Sequence, residues 1–249
     1  MRSLLAVAGT GVTVGSLVNT GTMAGWDLAS TLLADGSTGQ AIKTGAVPNS
    51  GSSTLGATFE GPGLLTWNWK VSSQKDYDWL LCEVNGVEVA GISTKVAAWQ
   101  SQVVQIPAGS QVRWSYRKDA ANSSGTDSGH LADIRFDKFT VPPSSFQTWS
   151  EAHGNLPPMQ TLAVGGGLQA MYAWLGGVDP STGPAAGSYQ AILNSGVYQY
   201  RYRVNKGAAG MTQPQVSTDM VTWDSRRMKQ TLLSEDSTSA VIELSLAAS

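Results

Sequence analysis

The chain has 249 residues, room for one large all-β domain or two smaller ones, and 41% of them are hydrophobic, enough to build a core. Charged residues make up only 14%, the formal net charge is -2, and no basic stripe is present to neutralise a phosphate backbone, which argues against nucleic acid as a partner. A single cysteine, Cys82, rules out an intrachain disulfide framework and a cysteine metal knuckle.

With so few charges, the polar surface must come from Ser, Thr, Gln, Asn and the 28 glycines. That mix suits short strands joined by turns better than it suits surface helices. Residues 1–25 read in one of two ways. Arg2 followed by Leu4, Leu5 and Val7 fits a weak export segment, and the Gly/Thr/Val stretch after it fits an N-terminal strand. Thr10, Thr13 and Ser16 dilute the segment too far for a membrane-spanning helix, and no other stretch is long enough to span.

From Leu55 the hydrophobic period is two. Leu55, Ala57 and Phe59 alternate, and Gly61-Pro62-Gly63 punctuates the chain. In the next run Leu65, Trp67, Trp69 and Val71 form one apolar face, with Thr66, Asn68 and Lys70 on the other, as in a strand buried on one side. In a helix Trp67 and Trp69 would point to opposite sides. Trp79 to Val84 reads as a strand with Leu80, Cys82 and Val84 inward, and a buried thiol is the expected state of Cys82. Asn85-Gly86 is a strong hairpin signal, with Val87–Ala90 returning. Gln102, Val104 and Ile106 lead to the turn Pro107–Ser110, after which Val112, Trp114 and Tyr116 alternate with polar residues. A small-residue loop from Asp119 to Gly129 precedes a strand, Leu131 to Phe136, with Ala132, Ile134 and Phe136 inward.

Short strands at near-regular spacing predict a mainly β chain, an antiparallel jelly-roll β-sandwich over residues 26–141. Pro142-Pro143 breaks the pattern. Residues 142–197 read as a Pro/Gly-rich, short helical connector, with helical segments near Trp149 and from Leu168 to Leu175. Residues 198–249 read as a small or incomplete β domain, with strands at Tyr198–Tyr202, Gln213–Thr222 and Ala240–Leu246.

These residues carry a resemblance. The run Gly61–Ser73, then Tyr77-Asp78-Trp79-Leu80, Val84-Asn85-Gly86-Val87, Trp99-Gln100, Ile106–Ser110 and Val112–Asp119 resemble a module of large exported proteins of Verrucomicrobia and related bacteria. That module is a laminin G/concanavalin-like jelly roll. Leu168–Pro180 and Val216–Trp223 are similar to the helix-turn and the C-terminal β segment that follow it there. Where the family pattern has two adjacent acidic residues, this chain has Ala132 and Asp133. The resemblance implies export and an extracellular or cell-surface adhesive role, and it brings no catalytic residues.

The residues themselves agree on chemistry. No Gly-x-Ser-x-Gly elbow and no His-Glu-x-x-His zinc motif is present, and Gly165–Gly167 lacks the βαβ setting of a dinucleotide site. Asp76 with Asp78, and Glu83 with Glu88, are carboxylate pairs beside hairpins, where solvation explains them. His130 stands between Asp127 and Asp133, and His153 precedes Gly154 where a helix should end. Calcium is the one metal the sequence supports, with Asp119, Asn122, Asp127 and Asp133 as candidate oxygen ligands around one loop. Trp79 and Trp99 lie beside their strands' apolar series and are the candidate ligand-contacting tryptophans. The expected function is a non-enzymatic surface interaction or structural module whose partner is a surface polysaccharide or protein. The alternative is a carbohydrate-binding module, calcium-dependent if the acidic loop holds the ion.

Overall fold

The computed structural model describes residues 18–19, 25–140, 145–159, 162, 170–176, 181–182, 190–194, 197–208, 214–217, 219, 221–226 and 228–246. The expected mainly β, antiparallel fold is what it shows. Ten strands come first in the chain: β1 (Val18–Asn19), β2 (Trp26–Leu32), β3 (Thr38–Thr44), β4 (Ser52–Phe59), β5 (Gly63–Ser72), β6 (Trp79–Val84), β7 (Val87–Ile92), β8 (Gln100–Ile106), β9 (Ser110–Arg117) and β10 (Ser128–Lys138). Helices α1 (Phe146–Ala152) and α2 (Ala170–Gly176) follow, then β11 (Gln190–Asn194), β12 (Val197–Asn205), β13 (Met228–Glu235) and β14 (Ser239–Leu246).

Two five-stranded sheets, ordered β2-β3-β10-β5-β8 and β1-β4-β9-β6-β7, form the sandwich. The alternation read along β5 is realised: Leu65, Trp67, Trp69 and Val71 are all buried. Trp67 meets Trp69 edge-on with ring centroids 5.3 Å apart, and it meets Trp114 of the opposite sheet at 5.9 Å. Phe59 and Phe136 make a second contact between the sheets at 5.0 Å. Such aromatic packing sets the spacing of the layers as well as burying area. Asn85 and Gly86, at φ 52° and 83°, form the tight β6–β7 turn. An Asn-Gly pair takes these left-handed angles with little strain.

One predicted strand differs in its inward face. Antiparallel partners share a face, and Leu131 lies opposite Trp69 while Phe136 lies opposite Leu65. Both therefore point inward, but Ala132 lies opposite Asn68 on the outer face. A β-bulge between Ala132 and Arg135 absorbs the change, with Asp133 at φ 51°. A second difference concerns Gln213–Thr222, expected as a strand. Its described residues form only an isolated bridge, Val216 to Asp224, because Asp219 Oδ1 accepts from the backbone N–H groups of Val221 and Thr222 and turns the chain.

The chain divides into two compact units, Met1–Lys138 with Gln213–Lys229 and Ala247–Ser249, and Phe139–Thr212 with Gln230–Leu246. In the first unit the later segment is tied to the sandwich edge strands. Ser225 Oγ donates to Glu88 O at 2.7 Å and Gln102 Nε2 to Met228 O at 3.4 Å. The second unit carries the sheet β11-β12-β14-β13 and both helices. Asn205 Nδ2 and Arg203 Nε donate to the Trp174 and Gly176 carbonyls, which caps the end of α2. Among the described residues no helix is long and apolar enough to cross a membrane. Apart from Val18–Asn19, which pairs with β4, residues 1–24 lie outside the described residues.

Candidate functional site

The strand register gathers one row of chemistry-bearing side chains on the outer face of the sheet β2-β3-β10-β5-β8. His130 of β10 stands opposite Lys43 of β3 on one side and Lys70 of β5 on the other. Lys43 in turn faces Asp27 of β2. At the other end Trp99, just before β8, comes under Lys70, whose Nζ lies 4.4 Å from the indole centroid. The Trp99 and His130 rings meet edge-on at 6.4 Å. The row is Asp27, Lys43, His130, Lys70, Trp99, drawn from five stretches of chain, and its last four members are half-buried.

The end of β2 reaches the same point. Lys70 Nζ donates to Thr31 Oγ1 at 2.9 Å and to Leu32 O at 3.5 Å, and Trp99 Nε1 donates to the same Leu32 carbonyl at 2.7 Å. Burial holds the Lys70 ammonium below the usual lysine range. His130 is lowered to about 4, first by burial and then by the charges of Lys70 and Lys43, so its imidazole is neutral at pH 7. Its Nδ1 is buried without a hydrogen-bond partner among the described residues. Neither lysine forms an ion pair with a carboxylate among the described residues.

The next row is polar and cross-linked. Ser101 Oγ donates to Asn68 Oδ1 at 2.6 Å, and Asn68 Nδ2 donates to Asp133 Oδ2 at 2.7 Å. The bulge is what turns the Asp133 carboxylate towards Asn68. Further along, Arg135 Nε pairs with Asp137 Oδ2 at 2.7 Å. The face therefore offers amide, hydroxyl, carboxylate and ammonium groups held in fixed positions beside one indole.

The four candidate calcium ligands are not gathered. Asp127 Oδ2 receives Lys118 Nζ at 2.7 Å, and its Oδ1 receives Ser73 Oγ at 3.2 Å. Asp119 Oδ1 accepts from the Ala121 N–H, while Asn122 is exposed at φ 59°. Asp133 belongs to the other row. Among the described residues no group of three or more His, Cys, Asp and Glu is placed to hold a metal ion. The loop is a closed polar clasp instead. Buried Asp78 accepts from Ser73 Oγ at 2.5 Å and from the Asp119 N–H at 3.0 Å, and Tyr116 Oη lies 2.5 Å from Ser73 Oγ.

Trp79, the other candidate, sits on the opposite sheet's outer face. The Arg226 guanidinium lies 5.4 Å from its ring centroid. Arg117 joins both Glu83 and Glu88 there, so that carboxylate pair is bridged by a guanidinium. Cys82 is buried, and burial together with the Glu83 charge raises its thiol well above the usual range. His153 caps α1, its Nδ1 2.7 Å from Trp149 O.

No protein-family profile matches the chain, and no curated protein matches it. Solved structures that resemble it in part include the secreted serine protease VesC of Vibrio cholerae, at 22% identity and a TM-score of 0.37 over 41% of this chain. This chain spans only 22% of that protease. The carbohydrate-binding module TmCBM61, solved with β-1,4-galactotriose, is 15% identical with a TM-score of 0.36 over 48% of this chain and 86% of the module. The module CBM51 of a Clostridium perfringens GH95 protein, solved with methyl-galactose, is 14% identical with a TM-score of 0.31 over 49% of this chain and 90% of the module.

The sequence singled out Trp99 and His130 but not Lys43, Lys70 or Asn68. Alternation along β5 already placed Lys70 and Asn68 outward. What it lacked was the register that sets Lys43 and His130 beside them.

Proposed function

We propose that this chain is a non-enzymatic, extracellular or cell-surface recognition module that binds a saccharide on the outer face of the sheet β2-β3-β10-β5-β8. The observation that carries the reading is the pair of neighbouring rows, Lys43–His130–Lys70–Trp99 and Ser101–Asn68–Asp133. Sugars are recognised by fixed donors and acceptors for their hydroxyls beside an apolar aromatic surface. Residues held by cross-strand bonds lose little conformational entropy on binding, which favours affinity. The carboxylate pairs that hydrolysis would use support a non-catalytic role. Glu83 and Glu88 are bridged by Arg117, and Asp78 is buried in the clasp.

The test is retention on immobilised polysaccharides. The wild-type protein is expected to be retarded, the Asn68→Ala/Ser101→Ala variant to elute freely, and no reducing ends to appear. Unchanged retention of the variant, or steady release of reducing ends, would contradict the reading.

A further inference from the structure

We propose that Lys43, His130 and Lys70 form an anion-recognition row, and that the saccharide taken by this face carries an acidic group, a carboxylate or a sulfate ester. The inference rests on the saccharide reading above and names the chemical class of that ligand.

Like charges set side by side across strands are destabilising, yet this sheet places two lysines on either side of one histidine. The two lysine Cα atoms are separated by two strand spacings, about 10 Å. The fold does not neutralise them. The carboxylate at the end of the row, Asp27, makes no ion pair among the described residues, Asp133 is bonded to Asn68, and Asp137 to Arg135. The ordinary arrangement for exposed lysines is free motion in water, where a cation is strongly hydrated and weakly attractive. Lys70 is not so placed. It is half-buried and fixed by Thr31 Oγ1, Leu32 O and the face of Trp99.

A fixed, partly desolvated ammonium attracts an anion more strongly than a mobile hydrated one, because less water must be displaced and less motion lost. Between the two lysine positions stands His130, whose Nδ1 is buried and has no hydrogen-bond partner among the described residues. An anion bound there would pair with both lysines and favour the protonated ring. The groups facing His130 are Lys43 on β3, Lys70 on β5 and the Trp99 ring, with Asp27 on β2 one position beyond Lys43. The adjoining Asn68 and Ser101 are within the same face and serve neutral hydroxyls, so an acidic sugar meets a donor set for each of its parts.

The experiment uses the full chain and four probes: a galacturonic acid trimer, its carboxyl-reduced neutral counterpart, a sulfated disaccharide and a hexaglutamate peptide. Affinity is read by calorimetry at low and high salt, and the His130 titration by NMR. The acidic trimer or the sulfated disaccharide is expected to bind, to weaken at high salt, and to raise the His130 pKa. Comparison of those two probes distinguishes carboxylate from sulfate as the source of the charge. Lys43→Gln is expected to weaken binding about tenfold, the effect of losing one charge-assisted contact. Equal binding of the neutral trimer with an unmoved His130 would overturn the acidic preference and leave the saccharide reading standing. Binding of hexaglutamate to the exclusion of the sugars, or no binding by any of the four, would overturn both. The His130 measurement on unmodified protein keeps the proposal open to refutation if the lysine variant fails to fold.

Discussion

Lys70 Nζ lies 4.4 Å above the Trp99 ring, and both side chains donate to one carbonyl, that of Leu32. The contact closes the end of the β2–β3 hairpin onto the face of a sheet in which two strands separate β2 from β5. Replacing Lys70 by Met keeps the alkyl stem but removes the charge and its donors. A cation–π contact of this kind is worth about 1 kcal/mol, so amide exchange in the hairpin tip, Thr31 to Thr38, should accelerate about fivefold. Unchanged exchange there would show that the hairpin is held by other contacts.

Trp67 tests the core. It is only 2% exposed and touches Trp69 in its own strand and Trp114 across the layers. Trp67→Ala should lower unfolding stability by about 3–5 kcal/mol, and Trp67→Phe by less, since it keeps an aromatic ring and removes an indole N–H that has no partner among the described residues. Denaturant midpoints measure both. A loss below about 1 kcal/mol for the alanine variant would contradict the assigned face.

The Lys118–Asp127 clasp has a pH signature. Burial alone would raise the Asp127 carboxyl, but hydrogen bonds from Lys118, Ser123 and Ser73 and the Lys118 charge outweigh it and hold the group below its ordinary value. A depressed folded-state value means that the unfolded chain takes up the proton first as pH falls. The stabilisation is therefore complete above the ordinary aspartate range and is lost as pH drops through the lowered one. Asp127→Asn should be less stable than wild type at neutral pH, and the gap should narrow under acid. A pH-independent difference in melting temperature would contradict the assignment.

His130 gives a second, separate signature. Its folded value, about 4, lies below the unfolded value near 6.5, so between them the unfolded state binds more protons. Stability should fall as pH drops from about 6.5 towards 4, and His130→Gln should flatten that slope. Equal slopes in melting temperature for the two proteins between those limits would show that His130 titrates alike folded and unfolded.

Much of the sandwich was legible because β5 and β9 bury one face more fully than the other, and such burial writes a period of two into the sequence. The Asn85-Gly86 turn was legible for a local reason, the left-handed backbone it needs. By contrast β2 and β3 carry little apolar alternation, with Leu28 and Leu32 exposed and Lys43 outward, so the pattern along Trp26–Leu32 and Thr38–Thr44 does not mark them as strands. Strands β11 and β13 escaped for the same reason. The bulge at Asp133 was invisible because it depends on what lies opposite. Asp127, His130 and Asp133 are close in sequence but not gathered in space: Asp127 turns to Lys118 and Asp133 to Asn68. The row of Lys43, His130 and Lys70 joins three distant strands, and only register brings it together.

The most direct test of the whole account is the location of the binding face. Backbone amide shifts of the isotope-labelled protein, followed during titration with the galacturonic acid trimer, should be largest at Lys43, Asn68, Lys70, Trp99, Ser101 and His130. Shifts concentrated instead around Trp79, Arg117 and Arg226, or in the Asp119–Asp127 loop, would contradict it.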